Sequence, residues 1–248
     1  MIRTSVRGGV LKHLFGAALL ALASTGAAQA AVITFEGYSG PAFNENTLNE
    51  AGYAVQFVAA DPATAPGTVQ VGRFIDGADP ASCGGFICPT NNPSTYVDLF
   101  GTGYVDIVPT SGTGTFSFSG LDASFIGTPG QIYPPTPAAI QVYGFVNGVE
   151  GGFVQFNLEA PAGDGTSGFT RYTASPDFAQ LQFTEIAIVG FTCDFGGACG
   201  GNDNNPGQFA LDNITLSDLP PGDVPEPGTA SLLALGLLGL GCYARRRT

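Results

Sequence analysis

Seven short runs of β-branched and aromatic residues, most alternating with period two and each broken by turn-forming residues, constrain this chain to strands. The runs are 31–35, 53–58, 113–118, 139–145, 153–158, 181–189 and 208–216. Such alternation buries one face of a strand and leaves the other to water. With 37 Gly and 18 Pro in the chain, turns separate the runs, and no amphipathic helical window of any length appears. The expected fold is all-β, an antiparallel β-sandwich that is jelly-roll-like and occupies residues 31–218 as one domain. A sandwich of about two hundred residues is within the size of a single domain.

The two ends of the chain have a different composition. Arg3, Arg7 and Lys12 form a positive leader, residues 14–23 form a short apolar stretch, and Ala28-Gln29-Ala30 supplies a small-x-small site. Residues 1–30 are expected to be a signal peptide cut by signal peptidase between Ala30 and Ala31. At the other end, 219–223 is a Pro/Gly linker and 224–248 a tag. Pro225, Glu226 and Pro227 fix an extended strip, because proline locks φ and removes the backbone donor. An apolar run follows over 229–244, then Arg245-Arg246-Arg247. The run is expected to form a C-terminal transmembrane helix near the lower length limit of roughly 17 residues, with the arginines on the cytoplasmic side.

The order Val224-Pro225-Glu226-Pro227, Leu/Gly/Ala run and terminal Arg cluster closely resembles the PEP-CTERM sorting signal of exported bacterial proteins. The resemblance covers about the last tenth of the chain. It implies recognition and cutting by exosortase, a membrane transpeptidase, with Pro225, Glu226 and Pro227 as the recognition motif. It also implies a transient inner-membrane anchor, followed by residence at the cell surface or outside the cell. Cys242, inside the apolar run, is a mild departure; it lacks the context of a lipid-attachment cysteine.

Between the tags the domain is strongly acidic. Of the 8 Lys+Arg, only Arg73 and Arg171 lie outside the two ends, whereas all 20 Asp+Glu fall between Glu36 and Glu226. Such a surface is repelled by nucleic-acid phosphates and anionic lipid, so no nucleic-acid partner is expected. The sole histidine, His13, and the sole lysine, Lys12, both belong to the leader. A mature domain without them has no Ser-His-Asp or Cys-His triad, zincin pair, Schiff-base lysine or P-loop lysine. Glycoside hydrolysis by paired carboxylates and calcium binding by oxygen ligands survive this exclusion.

Cys83 and Cys88 flank one Gly-rich loop, Cys193 and Cys199 another, and Cys242 lies in the tail. In an exported chain these spacings favour two local disulfides, 83 to 88 and 193 to 199, over a four-thiolate zinc site, whose usual two-residue spacings are missing. Residues 33–37 and 209–214 resemble the first and last strands of carbohydrate-binding-type jelly rolls. The resemblance implies terminal strands side by side and a structural calcium ion held by Glu36 and Asp212; the alternative is that both are solvent-exposed turn or edge carboxylates. Asn202-Asp203-Asn204-Asn205 lacks EF-hand spacing and is expected to form a turn.

Three functions remain. The first, favoured by the tag, is a non-enzymatic structural or adhesive protein of an exopolysaccharide matrix or biofilm. The second is a carbohydrate-binding module, with Tyr38, Tyr96, Tyr104, Tyr133 and Tyr143 replacing the missing Trp as stacking surfaces. The third is a carboxylate-only glycosidase, for which no acid pair stands out.

Overall fold

The structure, a computed structural model, describes residues 30–61, 63–99, 103–163, 165–200 and 208–217. The leader, the linker, Pro225, Glu226, Pro227, the apolar run, Cys242, the Arg cluster and the Asn202–Asn205 patch lie outside the described residues. Ala30 is exposed and Ala31 opens the first strand.

Fourteen strands are described: β1 Ala31–Ile33, β2 Gly40–Phe43, β3 Thr47–Glu50, β4 Tyr53–Ala59, β5 Gln70–Asp76, β6 Thr95–Leu99, β7 Gly103–Pro109, β8 Ser117–Phe125, β9 Ala138–Val146, β10 Val149–Leu158, β11 Thr170–Thr173, β12 Glu185–Cys193, β13 Cys199–Gly200 and β14 Phe209–Ser217. A 3₁₀ turn, Pro80–Cys83, and one helical turn, α1 Pro176–Ala179, complete them. The strands make two antiparallel sheets. Sheet A runs β11-β8-β14-β6-β5-β2, with β1 also on β14; sheet B runs β10-β9-β12-β7-β4-β3, with β13 on β12. The fold is therefore an all-β, antiparallel, sandwich-like one. Its terminal strands lie side by side, Ala31 opposite Leu216 and Ile33 opposite Ile214.

Alternation in the strands becomes burial. In β4 every second residue, Tyr53, Val55, Phe57 and Ala59, is buried between the sheets, and in β7 so are Val105 and Ile107. Phenylalanine fills the interior: Phe35, Phe57, Phe116, Phe118, Phe183 and Phe209 are all fully buried. The rings need room, which glycine supplies at two places. A β-carbon on Gly144 would fall inside the Phe183 ring, and one on Gly190 inside the Phe209 ring.

Two expected runs are shifted. Residues 113–116 lie outside regular strand, because Gly112 and Gly114 take left-handed φ of 68° and 103° that end the preceding turn; strand β8 begins at Ser117 and continues to Phe125. Residues 181–184 follow α1, which is capped by the Ser175 hydroxyl accepting from Phe178 N–H, so β12 starts only at Glu185. Strand β6 escaped the period-two rule for a physical reason: Tyr96 through Leu99 are buried on both faces.

Candidate functional site

Among the described residues Asp212 is the most heavily bonded carboxylate, and it is fully buried. It sits on the outer face of sheet A, opposite Asp122 of β8. Its Oδ2 accepts from Asn92 Nδ2 at 2.6 Å, Ser94 Oγ at 2.8 Å and Asn213 Nδ2 at 3.3 Å, and its Oδ1 accepts from Asn213 N at 2.7 Å. Burial raises its carboxyl above the usual range, and these hydrogen bonds offset only part of that rise. Asn213 takes a left-handed φ of 49° at a break in the β14 register. That turn lets its side chain also donate to Asp122 at 2.8 Å, so one amide separates two acids. On the far side, Arg171 donates to Asp122 at 3.4 Å, to the Asn213 carbonyl at 2.8 Å and to Thr215 Oγ1 at 2.6 Å.

Glu36 is exposed and accepts from Thr95 N at 3.2 Å. The structure thus brings the two expected calcium residues to successive positions of one segment, Ser94 for Asp212 and Thr95 for Glu36. The alternative of two solvent-exposed carboxylates is corrected for Asp212, which is walled in. Its oxygens are already met by four donors, and among the described residues no three His, Cys, Asp or Glu side chains gather to hold a metal. A cation here would have to displace Asn92 and Ser94. Glu50, which the sequence did not single out, does the tying instead: its carboxylate takes Thr34 N at 2.8 Å, Thr34 Oγ1 at 2.7 Å and Phe35 N at 3.1 Å. It joins β3 of sheet B to the end of β1, where Phe35 has a left-handed φ of 58°.

Next to this node the outer face of sheet A is roofed. Both disulfides are formed, Cys83–Cys88 and Cys193–Cys199, which uses all four thiols of the rival zinc set. The first closes the loop over Ile75, Tyr96, Ile126 and Ala210, a second small core with Phe86, Cys88 and Phe169 packed on it. Arg73 runs beneath that loop. It donates to Asp98 Oδ2 at 3.1 Å and to the Cys83 carbonyl at 2.7 Å, and stands 5.2 Å from the Phe86 ring centre. Asp98 is 2% exposed, its Oδ1 has no partner among the described residues, and burial raises its carboxyl to about 6 against the pull of Arg73.

The five tyrosines separate. Tyr96 is buried against Phe169, which removes it as a stacking surface. Tyr38 stacks on Phe74 and bonds the Asn49 carbonyl, and Tyr133 packs edge-on to Phe125 and bonds Gln131. Tyr104 and Tyr143 stand half-exposed on the outer face of sheet B. Asn92, Ser94, Arg73 and Asp98 carried no motif. One signal was available, since Arg73 and Arg171 are the only cations between the tags, and both neutralise acids on sheet A.

Fold and site define a disulfide-clamped, two-sheet antiparallel β protein without a gathered metal cluster among the described residues. Residues 223–247 match the PEP-CTERM protein-sorting motif. The chain carries that motif, which implies exosortase as its processing enzyme and export to the cell envelope or surface. No curated protein matches the chain. Among solved structures, a DUF4465 family protein from Bacteroides caccae ATCC 43185 matches with 14% identity over 76% of this chain and 98% of its own, at a TM-score of 0.49. TmCBM61 in complex with β-1,4-galactotriose matches with 9% identity over 65% of this chain and 86% of its own, at 0.31. An arabinose-bound α-L-arabinofuranosidase, MgGH51, matches with 11% identity over 76% of this chain and 26% of its own, at 0.36. Likenesses this distant carry no activity across.

Proposed function

We propose that the chain is an exported structural or adhesive protein whose jelly-roll-like sandwich is presented at the cell surface or in an extracellular matrix of exopolysaccharide or biofilm. The carrying observation is the sorting motif at 223–247. Signal peptidase cuts between Ala30 and Ala31, the apolar run holds the chain transiently in the inner membrane, and exosortase acts at Pro225, Glu226 and Pro227. The domain works without catalysis, in keeping with the lack of His and Lys between the tags. Replacing Pro225, Glu226 and Pro227 by alanine leaves full-length protein in the membrane fraction, read by fractionation and immunoblot. Release equal to that of the unaltered chain would reject the sorting role.

Structural calcium at Glu36 and Asp212 belongs to the same proposal. The ion would relieve the acidic excess and tie β1 to β14, by exchanging the Asn92 and Ser94 donors for its own charge. Binding only to the folded state adds about 2.7 kcal/mol at a hundredfold excess over Kd. Melting temperatures in calcium and in chelator then differ, and the difference disappears in the Glu36→Gln, Asp212→Asn double variant. Equal melts of the unaltered protein would leave Asp212 as the hub of a hydrogen-bond node alone.

A further inference from the structure

We propose that the outer face of sheet B is a binding face for a neutral polysaccharide. The proposal rests on the adhesive reading above and names what the domain would adhere to. Strand register sets the face. Across all six strands of the main ladder the outward side chains line up as Phe153, Tyr143, Ala187, Asp106, Gln56 and Thr47. At about 4.8 Å per strand the row is roughly 24 Å long, room for several sugar units. Ala187, although it points outward, is only 6% exposed, because Tyr143 and Asp106 stand on either side and make it the floor of a trough.

The chemistry along the trough suits sugar. Phe153 is 55% exposed, with its ring centre 5.8 Å from that of Tyr143, which offers an apolar platform to the C–H face of a pyranose. Beside it the Tyr143 hydroxyl donates to Gln141, Gln141 to Gln155 at 2.8 Å and Gln155 to Asn157 at 2.9 Å. This ladder holds the amides in fixed orientation, which lowers the entropy lost on binding. On the other side of the floor, the side-chain carboxylates of Asp106 and Glu185, half-buried and close enough to repel each other, take no hydrogen bond among the described residues. Burial, with Glu185 nearby, raises the Asp106 carboxyl to about 7. A half-buried acceptor of this kind is satisfied by sugar hydroxyl donors.

Charge chooses among occupants. The two cations of the domain, Arg73 and Arg171, are both on sheet A and both engaged, while the charged groups of the trough, Asp106 and Glu185, are both carboxylates. Uronic-acid or sulfated chains, anionic lipid and nucleic acid are repelled, whereas a neutral chain loses nothing on approach. Tyr104, on the row behind the trough, adds a second ring edge.

The full chain in mild detergent is run through native gels containing galactomannan, xyloglucan or hydroxyethyl cellulose as neutral probes, or alginate as the anionic one. At least one neutral probe retards the protein and alginate does not. Phe153→Ala and Gln155→Ala, both at an exposed edge strand and folded by circular dichroism, weaken that retardation tenfold or more; Thr170→Ala on sheet A leaves it unchanged. Retardation that survives both sheet B variants would keep polysaccharide adhesion and overturn this face. Absence of retardation by every neutral probe, or equal retardation by alginate, would overturn the proposal, and cell adhesion measured separately then decides whether the adhesive reading stands. Concentration-dependent self-association abolished by Phe153→Ala, without retardation, would show the face to be a copy-to-copy contact instead.

Discussion

The outer faces of the two sheets have opposite fates. On sheet A, loops from 80 to 94 and 165 to 169 close over the strands: Ile87 and Gly127 exchange backbone bonds, Asn91 and Phe169 bond each other, and Ser124 meets Ser167 at 2.8 Å. Beneath them lie a second core, a buried ion pair and two neighbouring acids, each provided with a specific partner. On sheet B the described residues leave the corresponding surface half-exposed, with polar groups bonded to one another along the face or to nothing. The comparison shows where the few cations of an acidic domain are placed. Charge neutralisation is concentrated under the roof, where an unpaired carboxylate would be most costly, and the open face is left acidic.

The sharpest way to break this contrast is to truncate one side chain on each face. Arg73→Ala leaves Asp98 buried without its cation and is expected to lower stability by about 3 kcal/mol. Phe153→Ala removes a large ring from the exposed face and changes stability by less than about 0.5 kcal/mol. Chemical denaturation measures both, and similar losses would mean that the faces are equally structural.

The roof itself comes next. Replacing Cys83 and Cys88 with serine frees a short loop, for which the chain-entropy model gives about 2 kcal/mol. Because Cys83 also presents its carbonyl to Arg73, the loss should shrink when Arg73 is already alanine. Additive losses in the double-mutant cycle would uncouple the loop from the ion pair.

The last contrast is in pH dependence. Asp98 and Asp106 have folded-state values of about 6 and about 7, both above the ordinary 3.8. Between 3.8 and those values the folded state holds more protons than the unfolded one, so this contribution to stability is fully present below 3.8 and fades as pH rises through 6 to 7. The melting temperature should therefore rise when pH is lowered from 8 to 5. Asp98→Asn removes the roofed share of the rise and Asp106→Asn the open-face share, which calorimetry on the two variants separates. A melting temperature that falls over this range would show that hydrogen-bonded carboxylates elsewhere dominate.

What the sequence alone determined about this protein is what short spacing controls. Alternation with period two marked β1, β4, β9, β10 and β14, because the pleat turns every second side chain to the same face. The cysteine pairs, five and six residues apart, were legible since their loops are too short to leave other partners convenient. The sorting motif was legible because it is a linear string. Tertiary structure alone decided the rest. Asp212 could be singled out from the sequence, but its partners Asn92 and Ser94 stand 120 and 118 positions away, and Arg73 meets Asp98 across 25. The trough on sheet B likewise exists only once strand order and register set Phe153, Tyr143, Asp106 and Gln56 on one line. Periodicity fixes which face a residue points to; only the pairing of strands fixes who stands beside it.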